Sequence, residues 1–216
     1  MTCKRLFKKY IDEISYKSKY YCHDVQWKKL VSNKQLNFCR YGKGPYEIEV
    51  AVNLEGVEKY FTIETAPIDL MPHAIHTFMD NIMKGVWDNT LFIHKVEHVI
   101  LAAPIDNEGN QKSPELTKTL LFPEYSEEFP HVEHTIGFQG RPGGPEIYIN
   151  LDDNSKYHGP GGQKHHDLVE EADPCFGKIT HGIDVLTQFI GINSKAVQDN
   201  TVSTTRIVYM RFVRKD

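Results

Sequence analysis

From Tyr46 onward the sequence is a succession of short β-type runs, and only two helical faces interrupt them. Ile48, Val50, Val52 and Leu54 alternate with Glu49, Ala51 and Asn53, the period of a strand with one buried face. Gly56 marks a turn, and Tyr60 to Thr65 reads as the return strand of a hairpin. Leu91 to Ala103 is a second strand pair. His134 to Gln139 and Pro145 to Leu151 form a third, joined through Gly140-Arg141-Pro142-Gly143-Gly144. Cys175 to Ile179 is a short strand and Ile207 to Val213 the last. Beyond Pro72, Ile75, Phe78, Met79, Ile82 and Met83 share one helical face, with Gly85 suited to the position just past the helix end. Ile183, Leu186, Phe189 and Ile190 describe a second helix. Strands here do not alternate with helices, which excludes a parallel sheet with crossover helices. The expectation is a mainly β, closed antiparallel barrel with helical plugs. A long polar loop from Pro104 has no clear period.

Residues 1–40 differ from the rest: they are rich in Lys and Tyr and contain no Gly or Pro. Leu6, Phe7, Tyr10, Ile11 and Ile14 recur at helical spacing. We read an N-terminal arm, partly helical, at 1–40 and one domain at 41–216. The arm packs either on a neighbouring subunit or partner, or on its own domain, and the sequence leaves both open. Its Tyr, Leu and Ile content favours self-association into a homo-oligomer. Asp12 and Glu13 dilute the charge that binding to a membrane surface would need.

The formal net charge of −4 predicts no bulk attraction to nucleic acid. No apolar run approaches the roughly 20 residues that span a bilayer. The basic N-terminus is not followed by the apolar stretch of a signal peptide, so a cytoplasmic protein is expected. Cys3, Cys22, Cys39 and Cys175 form no CxxC pair and read as reduced thiols. The eleven histidines read as scattered surface residues, and neither His94 with His98 nor His158 with His165 and His166 makes a metal site. Gly140 to Gly144 and Gly159 to Gly162 lack phosphate-loop spacing and read as turns. No cofactor is implied, and no Ser or Cys nucleophile with an ordered base stands out.

From about Glu47 to Val213 the order of elements resembles a cyclophilin. Ala66-Pro67 followed by a helix carrying Phe78 resembles the family's opening. Gly85-Val86-Trp87-Asp88-Asn89-Thr90-Leu91-Phe92 resembles G-Y-Y-D-G-T-x-F. Glu127-Glu128-Phe129 and His134-Thr135 resemble its acidic-Phe segment and the H-T after it. Phe176-Gly177-Lys178-Ile179 and Gly182-Ile183-Asp184-Val185-Leu186 resemble F-G-x-V and G-x-D-V-V. The resemblance implies an eight-stranded barrel capped by two helices, with a groove on its outer face that binds and isomerises X-Pro peptides. It suits a divergent branch with Gly-Pro-Gly loops, of the kind seen in protists, algae and large viruses; for a viral member the virion is an alternative location.

The groove pattern departs from the family. Where cyclophilins carry F-H-R, this chain has Phe92-Ile93-His94-Lys95. A gapless alignment puts His94 at the Arg position, and a shift of one puts Lys95 there. F-M-x-Q-G-G is matched by Val99-Ile100-Leu101-Ala102-Ala103-Pro104, which replaces the glutamine. Glu146-Ile147-Tyr148 stands for Q-F-F, so Tyr148 would be the aromatic floor of the proline pocket. The groove histidine falls at about Asp173, and the tryptophan that contacts cyclosporin has no counterpart near Leu168. The resemblance therefore implies His94, Lys95 and Arg141 as substitute catalytic residues, Arg141 being the residue that would restore a guanidinium. It implies Phe92, Val99, Ile100, Ala102, Glu146, Tyr148 and Asp173 as peptide-binding residues. The expected function is binding of proline-containing peptides or a protein partner, insensitive to cyclosporin, with isomerase activity weak or lost. An active peptidyl-prolyl isomerase assisting folding is the alternative.

Overall fold

The computed structural model describes residues 41, 44–96, 98–106, 108–162, 172–191 and 205–213. The arm at 1–40, with Cys3, Cys22 and Cys39, lies outside these residues, as do His165, His166 and Leu168. Eight strands form the body: β1 Glu47–Leu54, β2 Val57–Thr65, β3 Thr90–Val96, β4 Val99–Ala103, β5 Thr135–Phe138, β6 Ile147–Asn150, β7 Cys175–His181 and β8 Arg206–Val213. They close into a barrel in the order β1-β2-β7-β5-β6-β4-β3-β8. Every neighbouring pair is antiparallel. Helix α1 spans Pro72–Met83, α2 Ser155–His158 and α3 Ile183–Gly191. The expected barrel and both expected helices are present. The single turn α2, whose four residues are too few to carry a period, was not foreseen.

Alternation decides what fills the barrel. Phe61, Ile63, Phe92, Ile100, Ala102, Ile136, Ile147, Ile149, Ile207 and Met210 point inward around a residual void of about 10 Å³. That is about one water probe at most, and its apolar lining offers water no partner. The interior is therefore a packed core, and binding must use the outside. Among the described residues no helix is long and apolar enough to cross a membrane.

The polar stretch after Pro104 is fastened to α1 at several points. The residue before this helix, Met71, supplies no side-chain cap. Glu124 takes that role from 50 residues away: Oε1 accepts the His73 N–H at 3.0 Å and Oε2 the Ala74 N–H at 2.6 Å. Burial pushes the Glu124 carboxyl up to about 7, against the lowering effect of those two bonds. Further along α1, Asn81 donates to the Lys118 carbonyl and accepts the Lys118 N–H, each at 2.9 Å. Asp80 pairs with Lys84 at 3.1 Å and with Lys118. His73 accepts the Leu121 N–H at 3.1 Å and stacks on Phe122. Gly85, with φ +65°, ends the helix as the sequence suggested.

Candidate functional site

On the outer face, strand register lines up Leu101 of β4, Tyr148 of β6, Gly137 of β5 and Cys175 of β7. Tyr148 lies between the inward-pointing Ile147 and Ile149, so it faces away from the barrel interior, yet only 1% of it is exposed. Its hydroxyl comes so close to β5 that a Cβ on residue 137 would lie 2.5 Å from it, which is why glycine stands there.

Tyr148 is covered by His158, the last residue of α2. The His158 ring stacks on the Tyr148 ring with centroids 4.5 Å apart and planes 20° from parallel. Nδ1 of His158 lies 2.7 Å from Oδ2 of Asp173 and donates to it. The other carboxylate oxygen of Asp173 accepts from Nε of Arg141 at 2.8 Å. Arg141 also donates through Nη2 to the carbonyls of His158 at 3.2 Å and Gly159 at 3.3 Å. The Asp173 N–H closes the circuit on the His158 carbonyl at 2.8 Å. Arg141 and Asp173 are both buried, while 15% of the His158 side chain reaches solvent.

His131 completes the cluster. Its buried ring lies 6.1 Å from Tyr148, 5.8 Å from His158 and 6.0 Å from Tyr125, almost parallel to the last. Burial, and then the neighbouring His158, lower its pKa to about 4, so this imidazole is neutral at neutral pH. Burial, reinforced by Asp173, raises the Tyr148 phenol well above its ordinary value. Burial likewise pushes the Cys175 thiol up to about 12, which leaves it inert as a nucleophile.

No family model matches the chain, and no curated protein matches it. Solved structures do. A cyclophilin-type peptidyl-prolyl cis-trans isomerase of Cryptosporidium parvum superposes with a TM-score of 0.57 at 13% identity, covering 79% of this chain and 99% of its own. A second structure of that type from the same organism, determined in the presence of the dipeptide Ala-Pro, gives 0.56 at 13% identity over 78% and 99%. The chain has a cyclophilin-like fold.

On this cyclophilin-like barrel the residues picked from the sequence separate into three groups. Arg141, Tyr148 and Asp173 come together, but as one covered cluster. Arg141 is fastened to Asp173 and two carbonyls, and Tyr148 lies under His158. Phe92, Ile100 and Ala102 have their side chains inside the barrel, away from its outer face. Val99 and Glu146 are half-buried, and Glu146 lines a cleft of about 320 Å³ with Pro104, Gln111, Lys112 and Thr119.

His94 and Lys95 are placed by backbone register: His94 pairs with Leu101 and Lys95 with Ile100, and the register shifts between Phe92 and His94. Ile93 is thus the extra residue of a bulge, and His94 is the one in line with Leu101 and Tyr148.

The reading of the histidines as surface residues needs correction. His73, His76 and His131 are buried, and His158 packs against Tyr148. His158 and His131 were missed as site residues; the Gly159-Pro160-Gly161-Gly162 turn beside His158 was the only local signal. Among the described residues no group of three or more His, Cys, Asp or Glu side chains is arranged to hold a metal ion.

Proposed function

We propose that this protein works by binding a protein partner on a cyclophilin-like barrel and does not catalyse prolyl isomerisation. One observation carries the reading: His158 lies stacked over Tyr148, where the family resemblance would seat a prolyl ring. Catalysis must lower an amide rotation barrier of about 18–20 kcal/mol. That takes donors which hold the twisted amide better than the planar one. The guanidinium of Arg141 is occupied by Asp173 and by two backbone carbonyls, so it has no free fork for a substrate carbonyl. Ala102 has no side-chain amide to offer, and its side chain faces the core. Losing one preorganised donor typically costs about 10²–10³ in rate. Self-association through the arm at 1–40 and a cytoplasmic location remain part of the proposal. A protease-coupled assay on an Ala-Pro peptide with the full chain tests it. The expected rate is the uncatalysed one; robust turnover would support the alternative of an active isomerase.

A further inference from the structure

We propose that the cleft at the start of β6 takes a basic side chain, arginine or lysine, of a partner polypeptide. The inference rests on the preceding reading that the protein binds a protein partner, and it names the side chain that partner presents. The cleft, of about 320 Å³, lies between Pro145-Glu146 and the segment after Pro104. Gln111, Pro114 and Thr119 on its lining are exposed, so a ligand enters without any rearrangement of the chain. Its size is at the lower end of ligand pockets, about 300–1,000 Å³, and suits one long side chain better than a larger molecule.

The walls are set before any ligand arrives. The Lys112 N–H donates to the Pro104 carbonyl at 2.8 Å, and Ile105 and Gln111 form a β-bridge. Opposite them, the Gln139 N–H donates to the Glu146 carbonyl at 2.9 Å. The Leu120 N–H donates to the Gly143 carbonyl at 2.9 Å, which ties the two sides together.

Glu146 decides the charge of the ligand. The residue is half-buried, yet among the described residues no hydrogen bond or ion pair engages its carboxylate. Lys112, the basic residue of the lining, is turned elsewhere: its Nζ donates to the Asp88 carbonyl at 3.0 Å. A partly desolvated carboxylate gains most from a cation that also donates hydrogen bonds, and a guanidinium can do so with two N–H groups at once. Pro104, Ile105 and Pro145 offer apolar surface for the methylene stem of such a side chain. An anionic side chain would meet Glu146 head on. Long-range attraction acts in the same sense. The Lys-rich residues 1–40 offset much of the negative charge of residues 41–216, so the barrel domain is more acidic than the net charge of −4 conveys.

The test is an NMR titration of the native full chain with the peptide Ala-Ala-Arg-Ala-Ala, blocked at both ends. We expect saturable amide shifts at Gln111, Thr117, Thr119 and Glu146. The citrulline peptide, close in shape but neutral, should bind about tenfold more weakly or worse, as should Ala-Ala-Glu-Ala-Ala. Glu146→Gln should weaken the arginine peptide by about tenfold or more, whereas Glu133→Gln, an equal loss of charge on another exposed loop, should leave it nearly unchanged. Equal binding of the citrulline peptide, undiminished binding to Glu146→Gln, or no shifts at all because the arm at 1–40 already fills the cleft would overturn the proposal. Should Glu146→Gln not fold, the comparison of arginine with citrulline in the native chain decides. Isomerase turnover would count against the preceding reading alone, and the difference between arginine and citrulline bears only on this one.

Discussion

Replacing Asp173 by Ala removes the acceptor shared by Arg141 and His158 and leaves a buried guanidinium without its counter-ion. Breaking a buried pair from one side costs about 3–5 kcal/mol, because the remaining charge stays desolvated. For a chain of this size each kcal/mol moves Tm by about 2–4 °C, so a fall of roughly 6–20 °C is expected in scanning calorimetry. Removing both charges tells a different story. Arg141→Met with Asp173→Leu leaves no orphaned ion and should recover most of the loss, since apolar replacements of buried pairs are often neutral. The recovery should be partial, because Arg141 also holds the carbonyls of His158 and Gly159. A single Asp173→Ala variant that melts within 2 °C of the native protein would refute the buried cluster as described. So would a double variant no more stable than the single ones.

Other outcomes follow from the same structure. Gly137→Ala puts a Cβ 2.5 Å from the Tyr148 hydroxyl and 2.7 Å from the Pro174 carbonyl, and should destabilise by about 1–3 kcal/mol in urea titration. Glu124, raised from 4.5 to about 7, stabilises fully below pH 4.5 and loses that contribution as pH rises to about 7. His131, lowered from 6.5 to about 4, does the reverse, its contribution being present above pH 6.5 and lost as pH falls to about 4. Native stability should thus vary little between pH 4.5 and 6.5. In Glu124→Gln it should rise with pH across that window, and in His131→Phe it should fall, each by on the order of 3 kcal/mol in urea titrations. Cyclosporin should show weak or no binding in calorimetry, and tight binding would mean that the outer face has been misread. Deleting residues 1–40 should lower the mass measured by light scattering, whereas an unchanged monomer would rule out self-association through the arm.

The strands were legible because burial on one face imposes a period of two, which Ile48 to Leu54 carry openly; in β8 a register irregularity puts the buried Ile207 and Met210 three apart, and that strand was read from its β-rich composition. α1 was legible from its apolar face, but its cap was not: Glu124 lies 51 residues from His73, and no local pattern announces a cap supplied from so far away. For the same reason the stretch after Pro104 looked structureless: its ties run to residues far away in sequence, such as Asn81 and His73 of α1 and the Gly143 carbonyl. Alignment named Ile100 and Ala102 for the outer face, although the alternation Val99, Ile100, Leu101, Ala102 already divides them from Val99 and Leu101. Which pair faces the core could be known only once register with Ile147 and Ile149 was fixed. The covered cluster was the least legible, since Arg141, His158 and Asp173 are 17, 15 and 32 residues apart pairwise. Their pairing is a product of barrel closure, and charge counting along the chain does not reveal it.

Exchange NMR on an Ala-Pro peptide, with the native full-length chain added at substoichiometric concentration, addresses the occupied face most directly. With His158 over Tyr148 and Arg141 tied to Asp173, the cis and trans signals should stay in slow exchange, interconverting over the tens to hundreds of seconds of the uncatalysed reaction. Exchange cross-peaks or line broadening that grow with protein concentration would contradict it.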